Sequence, residues 1–173
     1  MTSIILAVVF AAFVSVLSHE QPGLLQRLKK SQDEVDCSPE GVNFQSYHVH
    51  VLFWQNNQNS TLSAMKLQQD FMDAFGLKRN ENHCQFQPGD TEPDADMCYF
   101  ETDWEPAGPF VTAQYAFFVP VAQYEESVSY MLKRRGKLDV LVHPNSGCGY
   151  EDHLIYSSWG GNVWEIDPTV FLD

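Results

Sequence analysis

Two histidines separated by one residue, His48 and His50, stand in the run YHVHVLFW at 47–54. On an extended strand, residues two apart project to the same side, with Cα atoms roughly 7 Å apart. That separation lets two imidazoles converge on one cation. The plainer reading of the same pair is the polar face of a half-exposed strand. Further along, His143 ends the apolar run LDVLVHP, and a tight loop leads from it to Asp152 and His153. Asp152 or Glu165 could complete a site of two histidines and one carboxylate, the open arrangement favoured by non-haem Fe(II) oxygenases. The plainer reading here is that Asp152 and His153 hold the loop by hydrogen bonds. His83 stands in the polar stretch NENHC and reads as solvent-facing.

These groups need elements to position them. Period-two alternation in 47–54 places Tyr47, Val49, Val51 and Phe53 on one face and His48, His50, Leu52 and Trp54 on the other. A polar QNNQNS stretch ends that strand, and Ser60 or Thr61 can cap the helix that follows. Ala64, Leu67, Phe71, Ala74 and Phe75 keep helical spacing, with Gly76 as the stop. Residues 77–110 are loop-rich, carrying Pro88, Pro93, Pro106 and Pro109, with a strand expected near Met97–Thr102. TAQYAFFVP is an apolar strand closed by Pro120. A second helix is expected over about Ala122–Arg135, with Tyr124, Val128, Met131 and Leu132 on its buried stripe. Its acidic first turn and basic last turn suit the helix dipole. LDVLVHP is a further strand, and HLIYSSWGGNVWEID adds a strand or hairpin. The order is βαββαβ plus an extension, which fits a ferredoxin-like α+β sandwich with an antiparallel sheet and two helices on one face. In that arrangement the first and last core strands are neighbours, so His48 and His50 would lie near His143 on the face the helices leave open.

The chain has 173 residues, enough for one domain, and 44% of them are hydrophobic, enough for a real core. Its formal net charge of -13 argues against nucleic acid, which needs a cationic surface, and against anionic lipid. The apolar run from Ile4 to Leu17 is short for a membrane span and suits the hydrophobic centre of a signal peptide over 1–18, cleaved after Ser18. An arm over 19–43 would follow, with a short helix possible across Leu24–Lys30, and then a domain over 44–173. Cleavage would expose His19, whose amine and imidazole could chelate copper, although a single terminal His is thin support. Four cysteines, Cys37, Cys84, Cys98 and Cys148, agree with an oxidising, extracellular compartment, and they allow three pairings. The preferred one closes a local loop with Cys84–Cys98 and ties the arm to the domain with Cys37–Cys148. Asn59-Ser60-Thr61 is a glycosylation sequon at a loop-to-helix junction.

From Tyr47 to Asp167 the chain resembles the DOPA 4,5-dioxygenase family of small non-haem iron proteins. The resemblance is carried by YHVHVLFW, by EPAGP before the third strand, and by RRGKLDVLVHPNSG and EDH followed by SSWGGNVWEID. It implies a ferredoxin-like fold and extradiol cleavage of a catechol with Fe(II) and O₂, zinc being a redox-inert substitute. It also implies His50, His143 and His48 as metal ligands, and His153 as an acid–base group or further ligand oriented by Asp152. Trp54, Tyr115 and Trp159 could wall an aromatic substrate, with core packing as their plainer role. One departure stands out: Phe110 follows Gly108-Pro109 where the family commonly carries a His. The alternative reading is a secreted metal- or small-molecule-binding protein of the same fold that has lost catalysis. A homodimer covering the open sheet face is compatible with either.

Overall fold

The computed structural model describes residues 35–87, 92 and 94–172. The expected signal segment, His19, the helix over Leu24–Lys30, Pro88 and Pro93 lie outside the described residues. The chain runs through β1 (Ser46–Phe53), α1 (Gln58–Ala74), β2 (Cys98–Tyr99), β3 (Ala113–Pro120), a 3-10 turn (Val121–Gln123), α2 (Tyr124–Arg134), β4 (Asp139–Asn145), α3 (Gly149–Leu154), β5 (Ser158–Gly160) and a final 3-10 turn (Pro168–Phe171). The strands form one sheet in the order β2-β3-β1-β4-β5, with every pairing antiparallel. This is the ferredoxin-like α+β arrangement, with β5 added beside β4.

The alternation in β1 divides the sheet. Val49, Val51 and Phe53 face the helices, together with Tyr115, Phe117 and Val119 of β3 and Val140 and Val142 of β4. Leu67 and Phe71 of α1 and Met131 of α2 close over them, and the rings of Phe71 and Phe117 stack with centres 4.2 Å apart. Among the described residues no helix is long and apolar enough to cross a membrane.

Several local expectations shift. The cap of α1 is Asn57, whose Oδ1 accepts the Ser60 N–H at 3.1 Å, so the helix starts before Ser60. Ser60 instead accepts from the Trp54 N–H at 3.0 Å, holding the end of β1 against the helix. On α2, Leu132 is 43% exposed, and Ser127 takes a buried place beside Met131. At 100° per residue, positions 124, 127, 128 and 131 share a face, and 132 turns off it. Leu132 covers Gly160 of β5 instead, where an added Cβ would fall 2.3 Å from its Cδ2. β2 is only two residues long: past it the pairing with β3 is reduced to a single bridge, Asp103 to Gln114, while Tyr99 also bridges to His83 on its other side. The disulfides formed are Cys84–Cys98, which staples β2 to the preceding loop, and Cys37–Cys148.

The short helix α3 was not apparent from the sequence. Gly147 takes a left-handed φ of +90° in the turn after β4, and Cys148 precedes the helix, bonded to Cys37. The Asp152 carboxylate accepts from the Ser146 N–H at 2.9 Å and from its hydroxyl at 2.7 Å, tying the helix back onto the turn.

The face away from the two long helices carries two small apolar clusters. One comprises Cys84, Cys98, Phe100, Ala116 and Phe118, near β2; the other comprises Leu52, Phe110, Leu141 and Ile166, with Trp159, Trp164 and Phe171 packed on it. Asp139 pins the second, accepting from Trp164 Nε1 and from the Asn162 N–H, each at 2.7 Å. Segments of the chain itself thus roof much of this face. The histidines lie between the clusters.

Candidate metal centre

The register of β1 on β4 sets His48 directly opposite His143, and His50 two residues further along the same face. All three are buried, and one ring nitrogen from each lies within 4.8 Å of the others. His50 Nε2 and His143 Nε2 are 3.1 Å apart. Their outer nitrogens meet acceptors: His50 Nδ1 donates to Gln114 Oε1 at 2.8 Å, and His143 Nδ1 to the Pro144 carbonyl at 2.7 Å. The glutamine is oriented in turn, because its Nε2 donates to Asp103 Oδ2 at 2.6 Å.

These outer partners assign the tautomers. An oxygen facing each Nδ1 calls for a proton there, which leaves a lone pair on each Nε2. Burial favours the neutral ring, pushing His50 down to about 3 against the partly opposing effect of its hydrogen bond to Gln114. Burial likewise holds His48 and His143 well below the usual histidine range, with the neighbouring imidazoles adding to it. Two lone pairs at 3.1 Å repel unless a cation lies between them. The third ring makes the same demand, since His48 Nε2 is buried without a hydrogen-bond partner. Three convergent neutral imidazoles, two with their outer N–H groups anchored, are a donor set that fits a divalent transition metal.

His153 stands beside the triad. Its ring centre is 3.8 Å from that of His143 and 6.4 Å from that of His50. Its Nδ1 donates to the Gly149 carbonyl at 2.9 Å within α3, and burial lowers its pKa. Orientation of this ring therefore comes from the helix backbone, while Asp152 is spent on Ser146. Glu165 is exposed and does not join the group.

A cleft of about 720 Å³ opens over the histidines. Phe86, Phe100, Phe110 and Phe171 give it apolar walls, and His83, Glu101 and Asp103 lie along its polar side. Phe110 is buried with its ring centre 4.6 Å from that of His50, so the residue that departs from the family pattern sits on a ring of the triad. The aromatic walls differ from those expected. Tyr115 faces the helices and donates its hydroxyl to the Ala64 carbonyl at 3.0 Å, because it is out of phase with the histidines across the β1–β3 register. Trp54 is 60% exposed and packs on Trp164, with ring centres 4.5 Å apart, away from the cleft. Trp159 belongs to the cluster around Leu141. His83, read as solvent-facing, lines the cleft, with Nε2 3.5 Å from Glu101 Oε1.

Gln114 and Asp103 escaped the sequence reading. A signal was present: in AQYAFFVP the alternation that sends Tyr115, Phe117 and Val119 inward leaves Gln114 as a polar residue on the histidine face. Asp103 had none, since it reaches the site through an isolated bridge to Gln114.

Residues 47–170 match the model of the Dopa 4,5-dioxygenase family. Over 121 residues the chain is 28% identical to a protein named DOPA 4,5-dioxygenase from Amanita muscaria, covering 70% of this chain and 47% of that relative. The chain thus spans about half the length of the curated relative it matches. The crystal structure of a candidate dioxygenase from Nostoc punctiforme aligns with a TM-score of 0.57 at 22% identity, over 73% of this chain and 90% of that one. That likeness concerns the fold. With the family model covering all of the sheet but Ser46, both long helices and the histidine cluster, the chain belongs to the Dopa 4,5-dioxygenase family.

Proposed function

We propose that the protein is an extradiol ring-cleaving dioxygenase that opens a catechol beside its two hydroxyls, using O₂ and an Fe(II) ion held by His48, His50 and His143. The observation that carries this reading is the meeting of three buried imidazoles, two of them at the floor of a phenyl-lined cleft, in a chain of this family. When bound, Fe(II) supplies a Lewis acid with open positions and a source of electrons for O₂. The protein's own contribution is positional. Gln114, braced by Asp103, and the Pro144 carbonyl hold two of the imidazoles in the tautomer that presents Nε2. Phe86, Phe100, Phe110 and Phe171 seat an aromatic ring and exclude water from it. His153, with Nδ1 committed to Gly149, keeps Nε2 for taking the catechol proton and returning it during ring opening. Asp152 acts as a positioning residue, holding the turn from which α3 presents His153.

Two disulfides fit an oxidising compartment, and we place the protein outside the cell. Asn59, exposed in the first turn of α1, would be its glycan acceptor.

Phe110 favours a second reading, in which the same site binds metal or a small molecule without turnover. A phenyl ring packs on His50 at a position where a further histidine could ligate or carry a proton. Anaerobic loading with Fe(II), followed by O₂ and DOPA or a simpler catechol, separates the two. Oxygen uptake with a yellow ring-opened product is the expected outcome. Stoichiometric metal binding with no uptake would transfer the argument to the second reading.

A further inference from the structure

We infer that the cleft selects a catechol whose side chain ends in a cationic amine and carries no carboxylate, an inference that rests on the catechol reading above. A ring seated among the phenyl groups leaves its side chain to lie along the rest of the cleft. There the charged groups are carboxylates, Glu101 and Asp103, and no lysine or arginine lines the cleft among the described residues. The cations are elsewhere. Lys66 lies on α1, Lys78 and Arg79 in the turns after it, and Lys133, Arg134, Arg135 and Lys137 at the end of α2 and just beyond. The other three, Arg27, Lys29 and Lys30, precede the described residues.

Two amide groups along the cleft already donate within the protein. The Gln85 amide N–H is spent on the His83 carbonyl at 2.9 Å, and that of Gln114 on Asp103 at 2.6 Å. His83 Nε2 lies 3.5 Å from Glu101 Oε1, beyond good hydrogen-bond range, and leaves that exposed carboxylate open to a ligand. With the catechol oxygens on the metal, a side-chain carboxylate in this cleft would lose its water and meet no lysine or arginine, which costs more than it returns. An ammonium group would meet Glu101 at the rim and Asp103 further in. The formal charge of -13 on the whole chain acts in the same direction on approach.

The test uses three ligands with one ring: dopamine (amine only), DOPA (amine and carboxylate) and dihydrocaffeate (carboxylate only). Each is titrated without oxygen into the full chain carrying zinc and into the chain without metal, and each is then offered with O₂ to the Fe(II)-loaded protein. Dopamine should bind the zinc-loaded protein about tenfold more tightly than dihydrocaffeate at low salt, with DOPA between, and the gap should narrow as salt screens it. Glu101→Gln should reduce the preference about two- to fivefold, the range for a solvent-exposed ion pair. Equal affinities, tighter dihydrocaffeate, or no binding of any of the three would overturn the inference. If the order of affinities holds while none of the three consumes oxygen, the selectivity stands and ring cleavage falls. If all three are cleaved with equal kcat/KM and bind equally, ring cleavage stands and the selectivity falls.

Discussion

The two faces of the sheet are built from the same strands but have different chemistry. On the helix side, Val49, Val51, Phe53, Tyr115 and Phe117 meet α1 and α2 in one continuous apolar core. On the other side, the alternate residues of those strands include His48, His50, Gln114 and His143, set between two separate apolar clusters. The first face is filled by regular helices, which bury apolar area and hold the sheet. The second is roofed by loops, a short helix and two disulfides, which leave a cleft where polar groups stay buried and convergent. One face stabilises the fold, and the other uses that stability to keep three neutral imidazoles together.

Exchanging effects across the faces tests this division. His50→Ala should abolish stoichiometric metal binding, read by metal analysis of the purified protein, while circular dichroism still shows the native fold. Retention of full stoichiometry would remove His50 from the ligand set. Phe117→Ala, on the helix side, should lower the unfolding free energy by about 3–5 kcal/mol in urea titration and leave the metal content of the folded protein unchanged. A variant there that lost metal first would show that the faces are coupled.

Acid should act through the histidine face. His50 has an ordinary value of 6.5 and is held down to about 3 by burial. Between those values it is neutral in the folded chain and protonated in the unfolded one. Its stabilising contribution is therefore complete above the unfolded value and is lost as pH falls through the folded one. Lowering the pH from about 7 to about 5 should cost the metal-free protein about 2 kcal/mol from this residue, and His50→Ala should flatten the profile. An unchanged slope in the variant would contradict the burial argument. The finest probe is Gln114→Leu, which removes the acceptor from His50 Nδ1 without touching a ligand. Metal affinity should fall about ten- to a hundredfold with little change in stability, measured by competition with a chelator.

Much of this was readable from residues close together in the chain. HxH in an alternating strand put two imidazoles on one side of β1, and the βαββαβ order made β4 its neighbour, which brought His143 into reach. The same period-two logic, applied to β3, excludes Tyr115 from the site and admits Gln114. Asp152 was harder, because an acid beside a histidine in sequence suggests a partnership that the turn of α3 undoes: the carboxylate goes to Ser146 and the ring to Gly149. Trp54 failed as a cleft wall because it lies one residue beyond β1, where the alternation ends and the chain turns toward α1.

The amino-acid sequence by itself determined the order of the four core strands and the two long helices and which residues share a strand face, since these follow from a periodicity carried by neighbouring residues. The Cys84–Cys98 pairing was accessible for the same reason, as a local loop closure. Only the tertiary structure decided the path of the loops over the second face. That path places Phe110 on His50, Asp103 on Gln114, and His83 and Glu101 at the cleft. Such contacts join segments far apart in the chain through single bridges and side-chain packing, which leave no repeating pattern in the sequence to read.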